Sequence, residues 1–329
     1  KKQLFATALG MGVMYMVSSI DYHFFLRLGP VAYLISMFLS GAVLFVGQEI
    51  NGSKRWLNLG PLSFQPSEFA KVAVILFLAW QIERTKKATR GFGFMCRTIL
   101  TLLPIIGLVG SNNLSTAIIV MAITVLLLFL VHPKTKRFVV FACVVLVLAV
   151  IVVVYLKIQI SDMATSTDFR MRRIIAWLNP EANSDKDSYQ FLQGLYAIGS
   201  GGFFGKGLGN STQKLSAIPE AQNDMILTVI CEELGVFGAI LILCLFGFML
   251  YRLMFIARNA PDLYGSLIAA GIFSHIALQV ILNIAVVTGL IPTTGVTLPF
   301  ISYGGTAVVI LLAEMGIALG ISSKIELKD

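Results

Sequence analysis

Charged residues are scarce in this chain. Of its 329 residues only 13% are Asp, Glu, Lys or Arg, against about 25% in a typical soluble domain. Hydrophobic residues make up 57% of the chain, and the mean hydropathy is +0.85. This balance excludes an ordinary water-soluble globule, and it also excludes a disordered or collagen-like chain.

Cysteine and histidine are sparse as well. No two of the four cysteines have the C-x-x-C spacing, and all of them lie in apolar runs: Cys96, Cys143, Cys231 and Cys244. We interpret them as packing residues, which excludes a disulfide-stapled secreted module. The three histidines are too scattered to predict a His/Cys/carboxylate metal cluster.

Long apolar runs dominate the sequence. Because a helix rises 1.5 Å per residue, about 20 apolar residues cross the ~30 Å hydrocarbon layer of a bilayer. Nine stretches fit this length and are predicted transmembrane helices, near residues 4–20, 29–47, 66–83, 95–111, 114–132, 138–156, 225–250, 265–288 and 303–322. No segment has the alternating pattern of a barrel strand, so we expect an all-α polytopic membrane protein.

Lysine and arginine orient these spans. The short connections between spans fall alternately on two sides. One side is rich in lysine and arginine, and the other has only Lys1, Lys2, Lys54 and Arg55. The basic side is therefore predicted to be cytoplasmic, together with the C-terminus, and the net charge of +8 needs no nucleic-acid partner. An odd number of spans then places Lys1 outside, so we expect one further helix before this chain, which makes ten in all.

The same alternation places residues 157–224 outside the cytoplasm. We treat residues 1–329 as a single membrane domain in which this segment is a large extracellular loop, far longer than the median connection of about 4–6 residues. Within it, Tyr189–Ser200 has apolar residues at helical spacing and predicts a short helix along the membrane surface. A solvated loop with an incidental short helix is the alternative.

Two charged residues lie inside the third predicted span. Glu68 and Lys71 are three positions apart and share a helix face, where each unpaired charge would cost about 2.5–3.5 kcal/mol. They form either a packing ion pair or a cavity wall that presents a cation to an anionic ligand. Just before them, Arg55 lies beside Trp56 at the outer interface, where it can hold a phosphate through paired N–H donors.

The large outer loop contains further candidates. It begins with Arg170 and Arg173, and it ends at Asp224, at the entry to an apolar helix, where a carboxylate can serve as a helix cap or as a general base. The segment Gly199–Gly207 resembles a phosphate loop only superficially, because Lys206 is followed by glycine; we interpret its glycines as permitting tight turns or close backbone approach.

Other acidic residues and one loop complete the set. Helix packing or capping is the simplest interpretation of Glu232, Glu233 and Glu314, with a functional role as the alternative. The last outer connection, residues 291–305, is rich in glycine and proline. Such a backbone is tolerated at membrane depth only where protein buries it or where it lines a wet cavity.

In combination these segments resemble the SEDS family, the membrane glycosyltransferases of bacterial cell-wall synthesis that include FtsW, RodA and SpoVE. The resemblance covers essentially the whole chain and is nearer to the FtsW and SpoVE branch. It is carried by Lys54–Lys71 (KRWLNLGPLSFQPSEFAK), Tyr189–Gly209 (YQFLQGLYAIGSGGFFGKGLG), Pro219–Gly235 (PEAQNDMILTVICEELG) and Asn283–Gly305 (NIAVVTGLIPTTGVTLPFISYGG). It implies a ten-helix fold whose first helix is absent here.

The resemblance also implies a reaction and its partners. It implies a peptidoglycan glycosyltransferase that polymerises lipid II into glycan strands at the outer face of the bacterial cytoplasmic membrane, with inversion and release of undecaprenyl pyrophosphate. The implied partners are lipid II, the undecaprenyl-linked glycan, a class B penicillin-binding protein and other division or elongation proteins. A divalent cation, Mg²⁺ or Mn²⁺, is the one candidate cofactor, and no metal-ligating residue is predicted.

Roles follow for individual residues. The family's essential acidic residue falls on Asp224, which is therefore the predicted catalytic base. The predicted substrate-binding residues are Arg55, Glu68, Lys71, Arg170, Arg173, Ser302 and Gly304. In the transition state, the basic members of this set are expected to stabilise the departing pyrophosphate.

The chain departs from the family pattern in two segments. Asn113 stands where an acidic residue is usual, and Gln222 and Asn223 replace the common His-Thr. Two other functions therefore stay open: a lipid II flippase or transporter, for which in-membrane charges would be suited, and a catalytically silent scaffold for the penicillin-binding protein.

Overall fold

The structure is a computed structural model that describes residues 2–50, 53–59, 62–85, 92–133, 136–158, 169–180, 186–213 and 221–326. Within these ranges the chain is mostly helical. The helices are α1 (Lys2–Ser18), α2 (Phe24–Val46), α3 (Pro66–Arg84), α4 (Phe92–Asn112), α5 (Leu114–Val131), α6 (Lys136–Ile158), α7 (Phe169–Leu178), α8 (Lys186–Gly201), α9 (Ile226–Asn259), α10 (Leu263–Val287) and α11 (Gly305–Ser322). The strands are β1 (Gln48–Ile50), β2 (Ser53–Leu59) and β3 (Leu62–Phe64).

A helix is present at each of the nine predicted spans. Seven of them are long and apolar enough to cross a membrane: α2, α4, α5, α6, α9, α10 and α11. Of the other two, α1 has 17 residues and α3 carries several charged side chains. The predicted helical membrane fold is confirmed, and the count of nine spans stays a prediction.

The chain divides into two compact units. The first comprises Lys1–Pro133, Phe248–Leu278 and Gly304–Asp329, and the second comprises Lys134–Gly247 and Gln279–Tyr303. The chain passes from one unit to the other within α9 and within α10.

In the first unit, α3 is the most deeply buried helix. Nearly every residue from Ala70 to Ala79 is inaccessible to solvent, and α3 packs against α2 and α5. Elsewhere in the same unit, α1 packs along α11 at glycines. A Cβ atom at Gly316 would lie 2.6 Å from the Met14 carbonyl oxygen, so the small residue is what permits this close approach.

A small antiparallel sheet precedes α3 and was not predicted from the sequence, where Arg55 and Trp56 are interpreted as interfacial residues. Its strands follow the order β1-β2-β3. Ile50 pairs with Ser53 across one hairpin and Leu59 pairs with Leu62 across the next. The dipeptide Asn51-Gly52 between the first pair is the strongest short hairpin signal, and it was available in the sequence.

The second unit contains both short helices of the predicted outer loop. The helix predicted at Tyr189–Ser200 is present and slightly longer, as α8. The apolar span predicted at 225–250 differs from expectation, because α9 is two helical pieces joined at Gly235, whose φ of 69° and ψ of −169° are not helical.

Candidate active site

Asp224 lies two residues before α9, in a turn with a firmly held backbone. Three consecutive carbonyl groups of this turn accept hydrogen bonds from outside it. The bonds run from the Tyr303 N–H to Gln222 O (2.8 Å), from Ser302 Oγ to Asn223 O (2.7 Å) and from Asn283 Nδ2 to Asp224 O (2.8 Å). The side chain of Asp224 is half-buried. The turn therefore presents the carboxylate from a fixed main chain.

The donors are themselves fixed by the glycine- and proline-rich loop and by α10. Gln279 and Asn283 are one turn apart on α10, and both donate to the loop: Gln279 Nε2 to Thr297 O (3.0 Å) and Asn283 Nδ2 to Val296 O (2.8 Å). Ser302 Oγ also accepts the Leu298 N–H at 2.7 Å. Protein groups thus satisfy this irregular backbone, as the sequence analysis requires of such a loop.

The same loop contains a strained residue. Among the described residues, Phe300 is the one non-glycine with positive φ, at 63°. This conformation costs on the order of 1–3 kcal/mol and persists where surrounding contacts enforce it, which occurs most often at functional sites. Phe300 lies two residues before Ser302, which holds the turn of Asp224.

α7 also donates hydrogen bonds to this loop and to the chain just before it. Arg173 Nη1 donates to Thr293 O at 3.3 Å, and Trp177 Nε1 donates to Gly289 O at 2.7 Å. Arg173 is thereby attached to the loop that positions Asp224. Arg170 belongs to α7 as well, but its side chain lies outside the described residues.

Glu232, which the sequence analysis interpreted as a packing or capping residue, organises the glycine-rich segment. It is completely buried, and its carboxylate accepts hydrogen bonds from five residues. The donors are Lys206 Nζ (2.7 Å), Ser200 Oγ (3.5 Å), Ser211 Oγ (2.5 Å), Thr212 Oγ1 (2.9 Å) and N–H (3.3 Å), and Gln213 N–H (3.3 Å). A buried charge needs such a set of partners, because isolated burial is prohibitively costly.

Backbone bonds attach the same segment to the break in α9. The N–H groups of Lys206 and Gly207 donate to the Glu232 and Glu233 carbonyls (both 2.9 Å). In the opposite sense, the N–H groups after the break donate to the loop: Val236 to Gly202 O (3.0 Å) and Phe237 to Phe203 O (3.1 Å). The loop thus satisfies backbone groups that a broken helix leaves unpaired. We call residues 202–207 and 232–237 together the glycine clamp.

Two glycines make this contact possible. Gly205 (φ 78°) and Gly235 (φ 69°) both have left-handed backbone. A Cβ atom at Gly205 would collide with the Glu233 carbonyl oxygen, and one at Gly235 would collide with the Phe203 carbonyl oxygen. The interpretation of the Gly199–Gly207 glycines as permitting close backbone approach is confirmed at Gly205, whereas Gly235 was not predicted.

In the first unit, the predicted ion pair on α3 is present. Lys71 Nζ lies 2.9 Å from Glu68 Oε2, and only 1% of the lysine side chain is exposed. The pair is local to one helix, three residues apart, near the helix start at Pro66. The geometry agrees with the prediction from spacing, and a substrate-binding role stays a prediction.

Arg55 is held by the end of α4. Its Nε donates to the Asn112 carbonyl at 2.8 Å. Arg55, Lys54 and Ser67 line a small cavity of about 20 Å³, roughly the space of one water molecule. Asn113, in place of the family's acidic residue, caps α5 by accepting the Thr116 N–H on Oδ1 at 3.2 Å. A neutral amide is sufficient for this capping role.

Gly304 directly precedes α11, whose first turn contacts β3 of the small sheet. Its N–H donates to Gln3 Oε1 (3.3 Å), and two residues later Thr306 Oγ1 donates to the Ser63 carbonyl of β3 (2.9 Å). Arg55, Glu68, Lys71 and Gly304 thus belong to the first unit, whereas Asp224, Arg173 and Ser302 belong to the second. Among the described residues, no group of three or more His, Cys, Asp or Glu side chains is placed to hold a metal ion.

The helices, the buried ion pairs and the irregular loop anchored by protein groups define a polytopic helical membrane protein with polar sites inside it. The particular family follows from comparison with known proteins. The chain belongs to the FTSW_RODA_SPOVE family, described as cell cycle proteins, whose model matches residues 1–326. The resemblance drawn from the motifs is thereby confirmed.

Similar sequences extend over nearly the whole chain. Stage V sporulation protein E of Bacillus subtilis is 38% identical over 326 residues, which cover 98% of this chain and 86% of that protein. A probable peptidoglycan glycosyltransferase FtsW of Trichlorobacter lovleyi is 36% identical over 331 residues, which cover 99% of this chain and 84% of that protein.

Solved structures are similar as well. A chain from a peptidoglycan synthase complex, studied for its coordination of polymerization and crosslinking, matches with a TM-score of 0.78 and 28% identity, over 98% of this chain and 88% of that one. The rod shape determining protein RodA of Thermus thermophilus matches with a TM-score of 0.67 and 26% identity, over 99% of this chain and 88% of that one.

Proposed function

We propose that this chain is a peptidoglycan glycosyltransferase that polymerises lipid II, with Asp224 as its general base. Relatives that are named probable peptidoglycan glycosyltransferases support the reaction class. The observation that carries the assignment of the base is the turn of Asp224, whose three carbonyls are fixed by Tyr303, Ser302 and Asn283. A general base must be held within hydrogen-bond reach of the proton that it removes, and a fixed main chain favours this.

The proposed step is a glycosyl transfer with inversion. The 4-hydroxyl oxygen of one lipid-linked disaccharide attacks the anomeric carbon of another lipid-linked chain, and the bond from that carbon to the undecaprenyl pyrophosphate oxygen breaks. The hydroxyl proton passes to the Asp224 carboxylate. An alcohol is a weak nucleophile at neutral pH, so this proton transfer contributes about 10²–10⁴ in rate.

The departing pyrophosphate gains negative charge, which cations stabilise in the transition state. Arg173 is the candidate with structural support, because it is bonded to the loop that positions Asp224. Arg55, Lys71 and Arg170 remain predicted contributors, with Glu68 as the partner of Lys71. Mg²⁺ or Mn²⁺ stays the candidate cofactor, but the described residues provide no protein-built cage for it, so no step is assigned to a cation.

We further propose that the reaction occurs at the outer face of the bacterial cytoplasmic membrane and that the partner is a class B penicillin-binding protein. The lysine and arginine distribution supports this orientation. The similarity to a chain of a peptidoglycan synthase complex supports a crosslinking partner.

The test is polymerisation of purified lipid II by Asp224→Asn, with and without the partner. We expect at least a 100-fold loss of glycan product with unchanged folding and partner binding. Glu326→Gln, at an exposed acidic residue near the C-terminus, is the matched control and should keep full activity. Undiminished product from Asp224→Asn would remove this residue from the mechanism.

The same assay separates the two alternatives. A flippase would move lipid II across vesicle membranes without extending a glycan. A silent scaffold would bind its partner and form no product. Either result would reject the glycosyltransferase proposal for this chain.

A further inference from the structure

A cleft between α3 and α4 has the character of a ligand site, and its α3 residues lie toward the C-terminal end of that helix, away from Glu68 and Lys71 at the start. It has a volume of about 860 Å³, within the range of pockets that hold small molecules and lipid headgroups. Its lining residues are Phe77, Trp80, Gln81, Arg84, Thr85, Gly93, Phe94, Arg97 and Thr101. All of them belong to the first unit.

Along both helices, the residues that line the cleft change from aromatic to basic. On α3 its lining positions recur at helical spacing, from buried Phe77 to exposed Arg84 at the last residue of the helix. On α4, buried Phe94 and exposed Arg97 are also one turn apart. An apolar floor with guanidinium groups at its mouth matches an amphiphile with an anionic head.

Aromatic contacts hold the α3 wall in place. The Tyr33 and Phe77 rings stack at 4.4 Å, Phe77 and Trp80 lie 5.7 Å apart, and the Arg84 guanidinium lies over the Trp80 ring at 5.4 Å. The Tyr33 hydroxyl donates to the Thr101 carbonyl at 2.5 Å, which ties α2 to α4. The cation–π contact pre-positions Arg84, so less side-chain entropy is lost when it binds an anion.

We propose that this cleft binds the phosphate headgroup of an anionic glycerophospholipid in the cytoplasmic leaflet. Arg84 and Arg97 provide donors suited to phosphate oxygens, and none of the described lining residues is acidic. The acyl chains lie against Phe77, Trp80 and Phe94. The lysine and arginine distribution predicts that this end of α3 is cytoplasmic, where anionic lipids concentrate and where basic pockets between helices bind their heads.

Trp80 allows a direct test. In the variant Trp56→Phe/Trp177→Phe it is the remaining tryptophan of three. This chain is placed in phosphatidylcholine nanodiscs that contain a minor fraction of phosphatidylglycerol, with bromine on the acyl chains of one lipid at a time. Relative to its mole fraction, we expect brominated phosphatidylglycerol to quench Trp80 more strongly than brominated phosphatidylcholine, with an enrichment of roughly fivefold for each arginine. Quenching by the two lipids in proportion to their mole fractions would overturn the proposal.

Charge variants sharpen the test. Arg84→Gln/Arg97→Gln should abolish the preference for the anionic lipid. The matched control is Arg252→Gln/Arg258→Gln, because Arg252 also lies over an aromatic ring, that of Phe255 at 5.6 Å, but does not line the cleft. The preference should survive in this control. Loss of preference in both variants, or in neither, would reject the site.

A second measurement avoids the tryptophan replacements, since Trp177 donates a hydrogen bond to Gly289. Native mass spectrometry of the unaltered chain should retain phosphatidylglycerol in preference to phosphatidylcholine, and the Arg84→Gln/Arg97→Gln variant should not. Inorganic phosphate at constant ionic strength should leave the retained lipid unchanged. Displacement by inorganic phosphate would assign the cleft to a soluble phosphate compound and overturn the lipid proposal.

Discussion

Two lysine–glutamate pairs, each with a buried glutamate, differ in what they connect. In the first unit, Glu68 and Lys71 lie 2.9 Å apart on one helix, three residues from each other. In the second unit, Lys206 Nζ lies 2.7 Å from Glu232 Oε1, although 26 residues separate them, and four further residues donate to the same carboxylate. The local pair neutralises two charges inside one helix. The distant pair fixes a loop onto a broken helix.

This difference has a thermodynamic consequence. Removal of one partner from a buried pair leaves the other charge uncompensated, whereas removal of both can be nearly neutral. The local pair should follow this rule. The distant pair should not, because loss of Glu232 also leaves the hydroxyl and backbone donors of the loop without their acceptor.

The largest expected effect is that of Glu232→Ala. We expect a loss of roughly 3–5 kcal/mol of stability, together with loss of glycan product, because the glycine clamp loses its acceptor. Thermal unfolding in detergent and the lipid II assay measure both effects. The double variant Glu232→Ala/Lys206→Met should recover little of the lost stability. Full recovery in the double variant would show that the two pairs behave alike.

A smaller loss is expected for Gly205→Ala, of roughly 2–4 kcal/mol. Part of this loss of stability arises because alanine is strained in the left-handed backbone conformation of Gly205. The rest arises because the new Cβ collides with the Glu233 carbonyl. Gly202→Ala is the matched control, because Gly202 also has positive φ (57°) but open space around its Cβ position. Gly202→Ala should lose only the stability that the strained left-handed backbone costs. Equal shifts in melting temperature would mean that the close approach in the clamp does not matter.

Substitutions in the local pair, Glu68 and Lys71, should cause a smaller loss of stability. Lys71→Met and Glu68→Gln should each cost about 1–3 kcal/mol, because each leaves a buried partner. The double variant should regain most of that stability, in contrast to the distant pair. A double-mutant cycle from melting curves gives the coupling energy directly. Additive losses would indicate that the two side chains do not act as a pair.

The smallest effect concerns an exposed cluster in which the connection between α1 and α2 meets Asp262, which lies between α9 and α10. His23 lies 2.7 Å from both Asp21 and Asp262. Partial burial opposes protonation of His23, but the hydrogen bonds to Asp21 and Asp262 outweigh it and raise the pKa of His23 above its usual 6.5. The hydrogen bonds that His23 donates through its backbone and side chain lower the pKa of Asp21 to about 2.

The sign of the pH dependence follows from these directions. The stabilisation from protonated His23 is complete below pH 6.5 and is lost as the pH rises through the raised pKa. As the pH rises from 6.5 through the raised pKa of His23, the melting temperature of the unaltered chain should therefore fall by ~1–2 °C more than that of His23→Gln. The Asp21 contribution is present above pH 3.8 and is lost as the pH falls through about 2. Parallel curves for the two chains would contradict this assignment.

The sequence predicted what is local. The nine helices follow from runs of apolar residues, and the Glu68–Lys71 pair follows from its spacing, because both depend on neighbours within a few positions. The sheet before α3 was not predicted although Asn51-Gly52 signals a hairpin, because its strands of 3, 7 and 3 residues are too short to show the periodicity that marks a long helix.

The sequence did not predict what joins distant segments. A glutamate in an apolar helix is equally compatible with packing, capping or function, so nothing local linked Glu232 to Lys206. The break at Gly235 was hidden for a similar reason, because one glycine inside a long apolar run does not signal where a loop will dock. The catalytic role of Asp224 stays a prediction, since geometry fixes its main chain and only an assay measures its chemistry.

Asn283 illustrates how little freedom such a junction leaves. One amide nitrogen uses its two hydrogens on two separate chain segments, the turn of Asp224 and the loop at Val296. Aspartate has no hydrogen to donate, serine has one, and glutamine is a methylene longer. No other standard side chain of this size can make both bonds at once. A single nitrogen atom on α10 therefore holds the turn of the proposed base next to the loop at Val296. If either segment moves away from α10, at least one of these bonds breaks.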